Sequence, residues 1–254
     1  MNNFFSLQQK LILITGASSG IGRACAICCN EMGASLLLTG RNKAELEKTR
    51  ASLKQPHPCN IFEMDLTQFE EVAETIKSIL KQTGPVDGVI HAAGISGTLP
   101  FRNISPEKML HFFQVNVAAA LHLTQQLVKP AHINTEGGSI VFLTSVMSQA
   151  GESAKVLYSM TKGALLAASR SLAIELATKK IRVNCIAPGV VDTPMSQNAY
   201  YSQTETMKNS IIQLHPLGLG QPDDVAYACI YLLSAAGRWI TGTQLLIDGG
   251  YTAR

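Results

Sequence analysis

The chain has 254 residues, 46% of them hydrophobic and 15% charged, with 21 Lys and Arg against 18 Asp and Glu. Its formal charge of +3 is spread along the whole length, so nothing in it asks for a nucleic acid or an anionic membrane. About 250 residues can bury one large core without disulfides or a structural metal.

In chain order, short apolar strands alternate with amphipathic helices. Strands are predicted at Leu11–Thr15, Ser35–Thr39, Cys59–Met64, Val86–His91, Ser139–Thr144, Ile181–Ile186 and Gln244–Ile247. Helices are predicted at Gly20–Met32, Lys43–Leu53, Phe69–Gln82, Pro106–Val128, Val156–Thr178 and Pro222–Ala236. Strand, crossover helix and strand in repetition imply an α/β fold: one doubly wound domain, its mainly parallel sheet covered on both faces. Such strands should be apolar throughout, as Leu11-Ile12-Leu13-Ile14 and Leu36-Leu37-Leu38 are. The stretch from Thr193 to His215 is either a lid over the crevice at the strand ends or an irregular surface helix.

No run approaches the ~18 apolar residues of a membrane span, and Met1-Asn2-Asn3-Phe4-Phe5 has no basic lead of a secretion signal. A soluble cytoplasmic protein is therefore expected. Cys25, Cys28 and Cys29 could suggest a redox or metal motif, but their spacing puts them on one helix face, where reduced cysteine packs as a small apolar residue. No second Cys or His cluster supplies further zinc ligands, so no metal is expected.

The first strand runs into Thr15-Gly16-Ala17-Ser18-Ser19-Gly20-Ile21-Gly22 and then a helix. Glycines at 16, 20 and 22 permit a tight turn, close approach of backbone N–H groups to a pyrophosphate, and close helix packing. The positive end of the helix dipole adds to that anion preference. A carboxylate at the end of the second strand would bind a ribose 2′-hydroxyl, but here the strand ends Leu38-Thr39-Gly40-Arg41-Asn42. Arg41, with Thr39 and Ser18 as neutral neighbours, therefore points to a 2′-phosphate and to NADP(H) over NAD(H). Asp65, before Leu66, either accepts from an adenine amino group, or caps the next helix, or both.

Tyr158 and Lys162 stand four apart and share a helix face. Ser145 ends the fifth strand, and the loop between allows Tyr158 to fold back beside its hydroxyl. Carbonyl reduction and its reverse want these three groups, because hydride arriving at carbon builds negative charge on oxygen. A Lys162 ammonium and a positive nicotinamide would favour the Tyr158 phenolate, Ser145 would hold the carbonyl oxygen, and Asn116 would order a water beside Lys162 or satisfy a buried carbonyl. Ile95, Ser96, Met147, Gln149 and Met195 are expected on the substrate wall.

Thr15-Gly16-x-x-x-Gly20-x-Gly22, Ala92-Ala93-Gly94, Asn116, Ser145, Tyr158-x-x-x-Lys162 and Pro188-Gly189 together closely resemble the short-chain dehydrogenase/reductase family over essentially the whole chain. The resemblance implies a Rossmann-type domain with a seven-stranded sheet, usually a homotetramer built through the helices that carry Asn116 and Tyr158 and through the C-terminus. It implies Tyr158 as acid and base, Lys162 as its activator and a ribose ligand, Ser145 as carbonyl stabiliser and Asn116 as proton relay. It also implies nicotinamide contacts from Pro188, Gly189, Val191 and Thr193.

His91 stands where the family often has Asn, and reads as an uncharged or backbone-bonded group rather than a catalytic one. The chain looks most like the 3-oxoacyl-(acyl carrier protein) reductases, but 132–138 holds no Lys or Arg to dock an acidic carrier, although Lys129 and Arg170 lie nearby. An acyl thioester and a free small ketone or sugar alcohol both stand as substrates. A dinucleotide sensor without chemistry would not need Ser145, Tyr158 and Lys162, and a sugar-nucleotide epimerase would need an extra substrate domain.

Overall fold

A computed structural model describes residues 3–199 and 204–253. Its strands are β1 (Leu11–Thr15), β2 (Ser35–Gly40), β3 (Cys59–Glu63), β4 (Gly88–His91), β5 (Gly138–Leu143), β6 (Ile181–Pro188) and β7 (Gln244–Ile247). All pair in parallel in one seven-stranded sheet of order β3-β2-β1-β4-β5-β6-β7. The helices are α1 (Gly20–Glu31), α2 (Lys43–Ala51), α3 (Phe69–Thr83), α4 (Pro106–Phe113), α5 (Ala119–Leu127), α6 (Val156–Glu175), α7 (Pro194–Gln197), α8 (Glu205–Gln213) and α9 (Pro222–Leu233).

The apolar strands are buried because helices cover both faces. Ile12, Ile14, Leu36 and Leu38 pack with α1 and α9 on one side, whereas Leu13, Leu37 and Phe142 pack with α3, α5 and α6 on the other. Cys25, Cys28 and Cys29 belong to the first of these cores, with Cys25 Sγ 3.7 Å from Cys229 Sγ on α9. Burial pushes the Cys28 thiol up to about 12, so it is a packing group rather than a reactive one. From β1 the chain winds outward to β3, then crosses back to β4. That reversal opens a crevice outside the carboxyl ends of β1 and β4.

Two expectations are corrected. Pro106–Val128 is helical without interruption as far as Leu127 but not α-helical throughout: α4 ends at Phe113, Gln114–Ala118 forms a wider π turn, and α5 follows. No Gly or Pro marks the break, and a single π turn scarcely disturbs a helical apolar pattern. Val86 lies outside β4 and makes an isolated bridge with Ile133. There Asp87 binds the Leu11 N–H (2.8 Å) and the Asn134 side-chain amide (3.0 Å), fixing the entry to the strand.

The stretch from Thr193 to His215 contains α7 and α8, each begun by a threonine whose hydroxyl caps it. Residues 200–203 of that stretch lie outside the described residues. Among the described residues no helix is long and apolar enough to cross a membrane.

Candidate active site

The turn after β1 needs its glycines. Gly16 and Gly20 have φ of 65° and 50°, which side-chain-bearing residues rarely adopt. A Cβ on Gly16 would lie 2.8 Å from the Ala93 nitrogen, and one on Gly22 would lie 2.2 Å from the Gly16 carbonyl oxygen. Ser19 precedes α1 in extended conformation without a side-chain cap, so the first N–H groups of this helix take no bond from it. A glycine cradle at the positive end of a twelve-residue helix fits a pyrophosphate.

The cradle is braced from behind. Thr49 on α2 donates its hydroxyl to the Ala17 carbonyl (2.8 Å). Arg23 on α1 reaches the Ser18 carbonyl, the Thr49 hydroxyl (3.0 Å) and the Glu45 carboxylate (2.8 Å). On the other side the buried Thr15 hydroxyl accepts the N–H groups of both Ala92 and Ala93, each at 3.1 Å.

One cleft runs along these strand ends. Gly16, Ser18, Ser19, Gly20, Ile21 and Gly22 line it, with Arg41, Asp65 and Leu66 at one end and Ala92, Ala93 and Gly94 beneath. Ser145, Met147, Tyr158, Lys162, Pro188, Gly189, Val191, Thr193 and Met195 complete the predicted set on its wall. Arg41 is exposed, and its charge helps hold the Asp65 carboxyl low, after the Thr67 N–H (2.9 Å) and hydroxyl (2.8 Å) that Asp65 accepts. Asp65 thereby forms the turn that leads into α3.

Three residues singled out in the sequence lie off this wall. Thr39 is buried off the wall, with no partner for its hydroxyl, and Gln149 borders a separate hollow beside Tyr251 and Thr252. Asn116 sits behind the wall in the π turn. Its amide oxygen accepts the Ile95 N–H (2.7 Å), and its amide nitrogen donates to the Ile95 carbonyl (2.9 Å) and the Thr161 hydroxyl (3.1 Å).

Ser145 is buried and accepts the Met147 N–H (3.2 Å), and its side chain interacts with that of Tyr158 on the same wall. Lys162 Nζ donates to the Leu143 carbonyl (2.8 Å) and stands 5.5 Å from the centre of the Tyr158 ring. Burial pushes the Tyr158 phenol up to about 12, with the Ser145 bond opposing, and brings the Lys162 ammonium down to about 8. Among the chain's own groups burial is the larger influence on the phenol; the positive nicotinamide that the sequence reading counted beside Lys162 would act against it.

His91 is a packing residue rather than a wall residue. It stacks on Phe142 at 4.7 Å, and burial brings it down to about 3, so it is neutral. The Thr124 hydroxyl donates to the Ala120 carbonyl, so at 2.9 Å it accepts from His91 Nε2. His91 is thus bonded to a side chain, not to backbone, and its Nδ1 has no partner.

Thr15 stood in the glycine motif without a role of its own, and the sequence reading passed over Arg23, Lys155 and His215. His215 accepts the Val190 N–H at Nε2 (3.1 Å), donates from Nδ1 to the Ile211 carbonyl (2.8 Å) and packs on Tyr251. It stitches the Pro188–Val191 bend to α8. Lys155 alone carried a sequence signal, three residues before Tyr158.

A family model described as Enoyl-(Acyl carrier protein) reductase matches residues 16–252. The 3-oxoacyl-[acyl-carrier-protein] reductase FabG of Thermotoga maritima is 30% identical over 246 residues, 96% of this chain and 98% of that protein. The 3-oxoacyl-[acyl-carrier-protein] reductase of Mus musculus is 34% identical over 243 residues, 95% of this chain and 98% of that one. A putative short-chain alcohol dehydrogenase from Sinorhizobium meliloti superposes with a TM-score of 0.92 at 30% identity, over 99% of both chains. A putative NAD(P)-dependent gluconate 5-dehydrogenase from Beutenbergia cavernae, with bound NADP, superposes at 0.90 and 28% identity, over 99% of this chain and 100% of that one. With its sequence and fold matched over nearly its full length, this chain belongs to the short-chain dehydrogenase/reductase family of oxidoreductases.

Proposed function

We propose that the protein interconverts a ketone and a secondary alcohol with NADP(H), in a single domain, using Ser145, Tyr158 and Lys162. The observation that carries this reading is the gathering of the Ser145, Tyr158 and Lys162 side chains on the wall of the same cleft onto which the glycine cradle opens.

When bound, the dinucleotide supplies the hydride for reduction and accepts it in oxidation. Gly16, Ser18, Ser19, Gly20, Ile21 and Gly22 hold its pyrophosphate, Ala92 to Gly94 lie under it, and Pro188, Gly189, Val191 and Thr193 keep its nicotinamide end against the substrate. Ser145 and Tyr158 donate to the substrate oxygen as charge gathers there, and Tyr158 gives up its proton to complete the alcohol. Oxidation reverses the transfer. Lys162, anchored on Leu143, lies against the Tyr158 ring and stabilises the phenolate left behind. Asn116 positions rather than transfers: it holds Ile95 to α6 through Thr161. A general acid of this kind contributes about 10²–10⁴-fold. Tyr158→Phe should cut ketone-dependent NADPH oxidation by about 10²–10⁴-fold; unchanged turnover would overturn the reading.

Arg41 and the lack of a carboxylate at the end of β2 support NADP(H) over NAD(H). The relatives' names favour a 3-oxoacyl thioester, but the missing basic residues of 132–138 favour a free ketone over a carrier-bound one. A serine and a tyrosine hydroxyl on one wall suit carbonyl rather than C=C reduction. Exposed apolar side chains on α4 and α6 support a homotetramer built through those helices. Six unpaired thiols, two of them 3.7 Å apart and unjoined, suit the reducing cytoplasm.

A further inference from the structure

Two stretches far apart in the chain line the same cleft: the bend after β6, through Pro188, Gly189, Val190 and Val191, and the end of α8, through Ile211 and His215. His215 stands where they meet, two residues beyond α8, with 3% of its surface exposed. A carbonyl only accepts, so at 2.8 Å from the Ile211 carbonyl Nδ1 carries the imidazole proton. That leaves Nε2 as the acceptor of the Val190 N–H (3.1 Å). The helix carbonyl thus selects the tautomer that the bend requires.

The backbone leaves room for this ring. A Cβ on Gly189 would stand 2.9 Å from Nε2, closer than real Cβ atoms come, so the imidazole lies in a notch that glycine opens. The Tyr251 ring packs on it with centres 5.0 Å apart. A side chain needed only to fill the notch could be apolar and would ask for no partner, whereas both nitrogens of His215 are bonded to backbone.

What the bond joins sets it apart from its neighbours. The other hydrogen bonds of the bend lead elsewhere: the Gly189 N–H to the Ile247 carbonyl (3.0 Å), and the Val190 carbonyl from the Gly220 N–H (3.1 Å). Among the described residues, the bond from Val190 to His215 is the only hydrogen bond between 188–191 and 205–215. It therefore fixes the bend against α8. Transfer between two bound groups depends steeply on their spacing, and a misplacement of about 1 Å can cost about 10²-fold.

We propose that His215 is a positioning residue for hydride transfer: by holding Val190 against the end of α8 it keeps the two sides of the cleft at one spacing. This rests on the carbonyl-reductase reading above, in which the bend receives the nicotinamide, and adds a residue that acts through Val190 rather than on the substrate.

Two variants separate the two bonds. His215→Gln carries an acceptor out to the place of Nε2 and keeps the link to Val190, whereas His215→Asn keeps a donor at the place of Nδ1 and so the link to Ile211 alone. With a panel of cyclic ketones, 3-oxo esters and ketoses at saturating NADPH, kcat should fall at least tenfold in His215→Asn and stay within about threefold of wild type in His215→Gln. Each variant loses one bond, so a histidine that served stability alone would lower the melting temperature and kcat alike in both. Equal kcat in the two variants, whether kept or lost, overturns the proposal. Amide exchange read by mass spectrometry gives an answer that needs no turnover. NADPH should slow exchange over 205–213 in wild type and His215→Gln but not in His215→Asn, and adenosine 2′,5′-bisphosphate, which has no nicotinamide, should slow it in none. If wild type turns over no ketone of the panel, the carbonyl-reductase reading has failed, and exchange decides the link by itself. Protection by NADPH lost in His215→Asn upholds it; protection equal in that variant and wild type, or absent from wild type, overturns it.

Discussion

Tyr158 and Lys162 are pulled in opposite directions by the same cause. Burial penalises whichever form is charged, so the phenol rises to about 12 and the ammonium falls to about 8. In the proposed mechanism this favours reduction, which consumes a phenol proton. Because a raised pKa keeps that proton in place at neutral pH, kcat/KM for ketone reduction should not rise with pH between about 6 and 8. Oxidation needs the phenolate, so its kcat/KM should climb with pH over the same range, by up to about tenfold per unit. Profiles taken in both directions check this, and a reduction rate that climbs with pH would speak against Tyr158 as the donor. At the other end of the cleft, Arg41 stands exposed beside Asp65. Arg41→Ala should lower the NADPH-to-NADH ratio of kcat/KM by about tenfold or more, given about 1.5–3 kcal/mol for a charged hydrogen bond. The three reacting groups and the glycines were legible because their chemistry demands given residue types at helix or turn spacing. Thr15 and Arg23 were not: Thr15 binds backbone 77 and 78 residues away, and the partners of Arg23 on α2 meet it only once the sheet has formed.

Helix α4, the π turn and α5 each contribute to the cleft wall, through His111, Gln114 and Val115, and Ala119. A π turn widens the backbone at one point, and here it carries Asn116 to where one amide satisfies both the N–H and the carbonyl of Ile95. Thr161 extends the link to α6: it accepts from Asn116 and donates to the Tyr158 carbonyl (2.8 Å). The residue was legible and its surroundings were not, because an apolar pattern counts turns without reporting which one is stretched. Asn116→Ala should leave two half-buried backbone groups of Ile95 without their partner, and cost about 1–3 kcal/mol in denaturant unfolding. If Asn116 positions the wall, kcat should fall in this variant while the pH profile keeps its shape. A displaced profile would instead place Asn116 in the proton path. The same limit applied to Thr193–His215, where the capping threonines of α7 and α8 were present in the sequence but not recognised.

On the scale of the whole molecule, the alternation of apolar strands with helices was enough to foresee the parallel sheet, since strands buried on both faces cannot alternate with polar residues. Outward surfaces are harder to read, because an exposed apolar residue alone means little. Their grouping means more. On α6, Val156, Met160, Ala167 and Ile174 lie exposed at spacings of four, seven and seven, a stripe of apolar and small side chains along one side of a twenty-residue helix. Met109, Leu110 and Phe113 are exposed on α4, and Leu110 is 70% so. Such a surface suits a second copy of the same helices, packed closely where the side chains are small. Ala167 is the place to test it, because its side chain makes no part of the monomer core and an added bulk there meets only a partner. Ala167→Arg should therefore keep the folded monomer intact by circular dichroism while shifting sedimentation from the assembled species to a smaller one. Sedimentation identical to that of wild type would move the interface off α6.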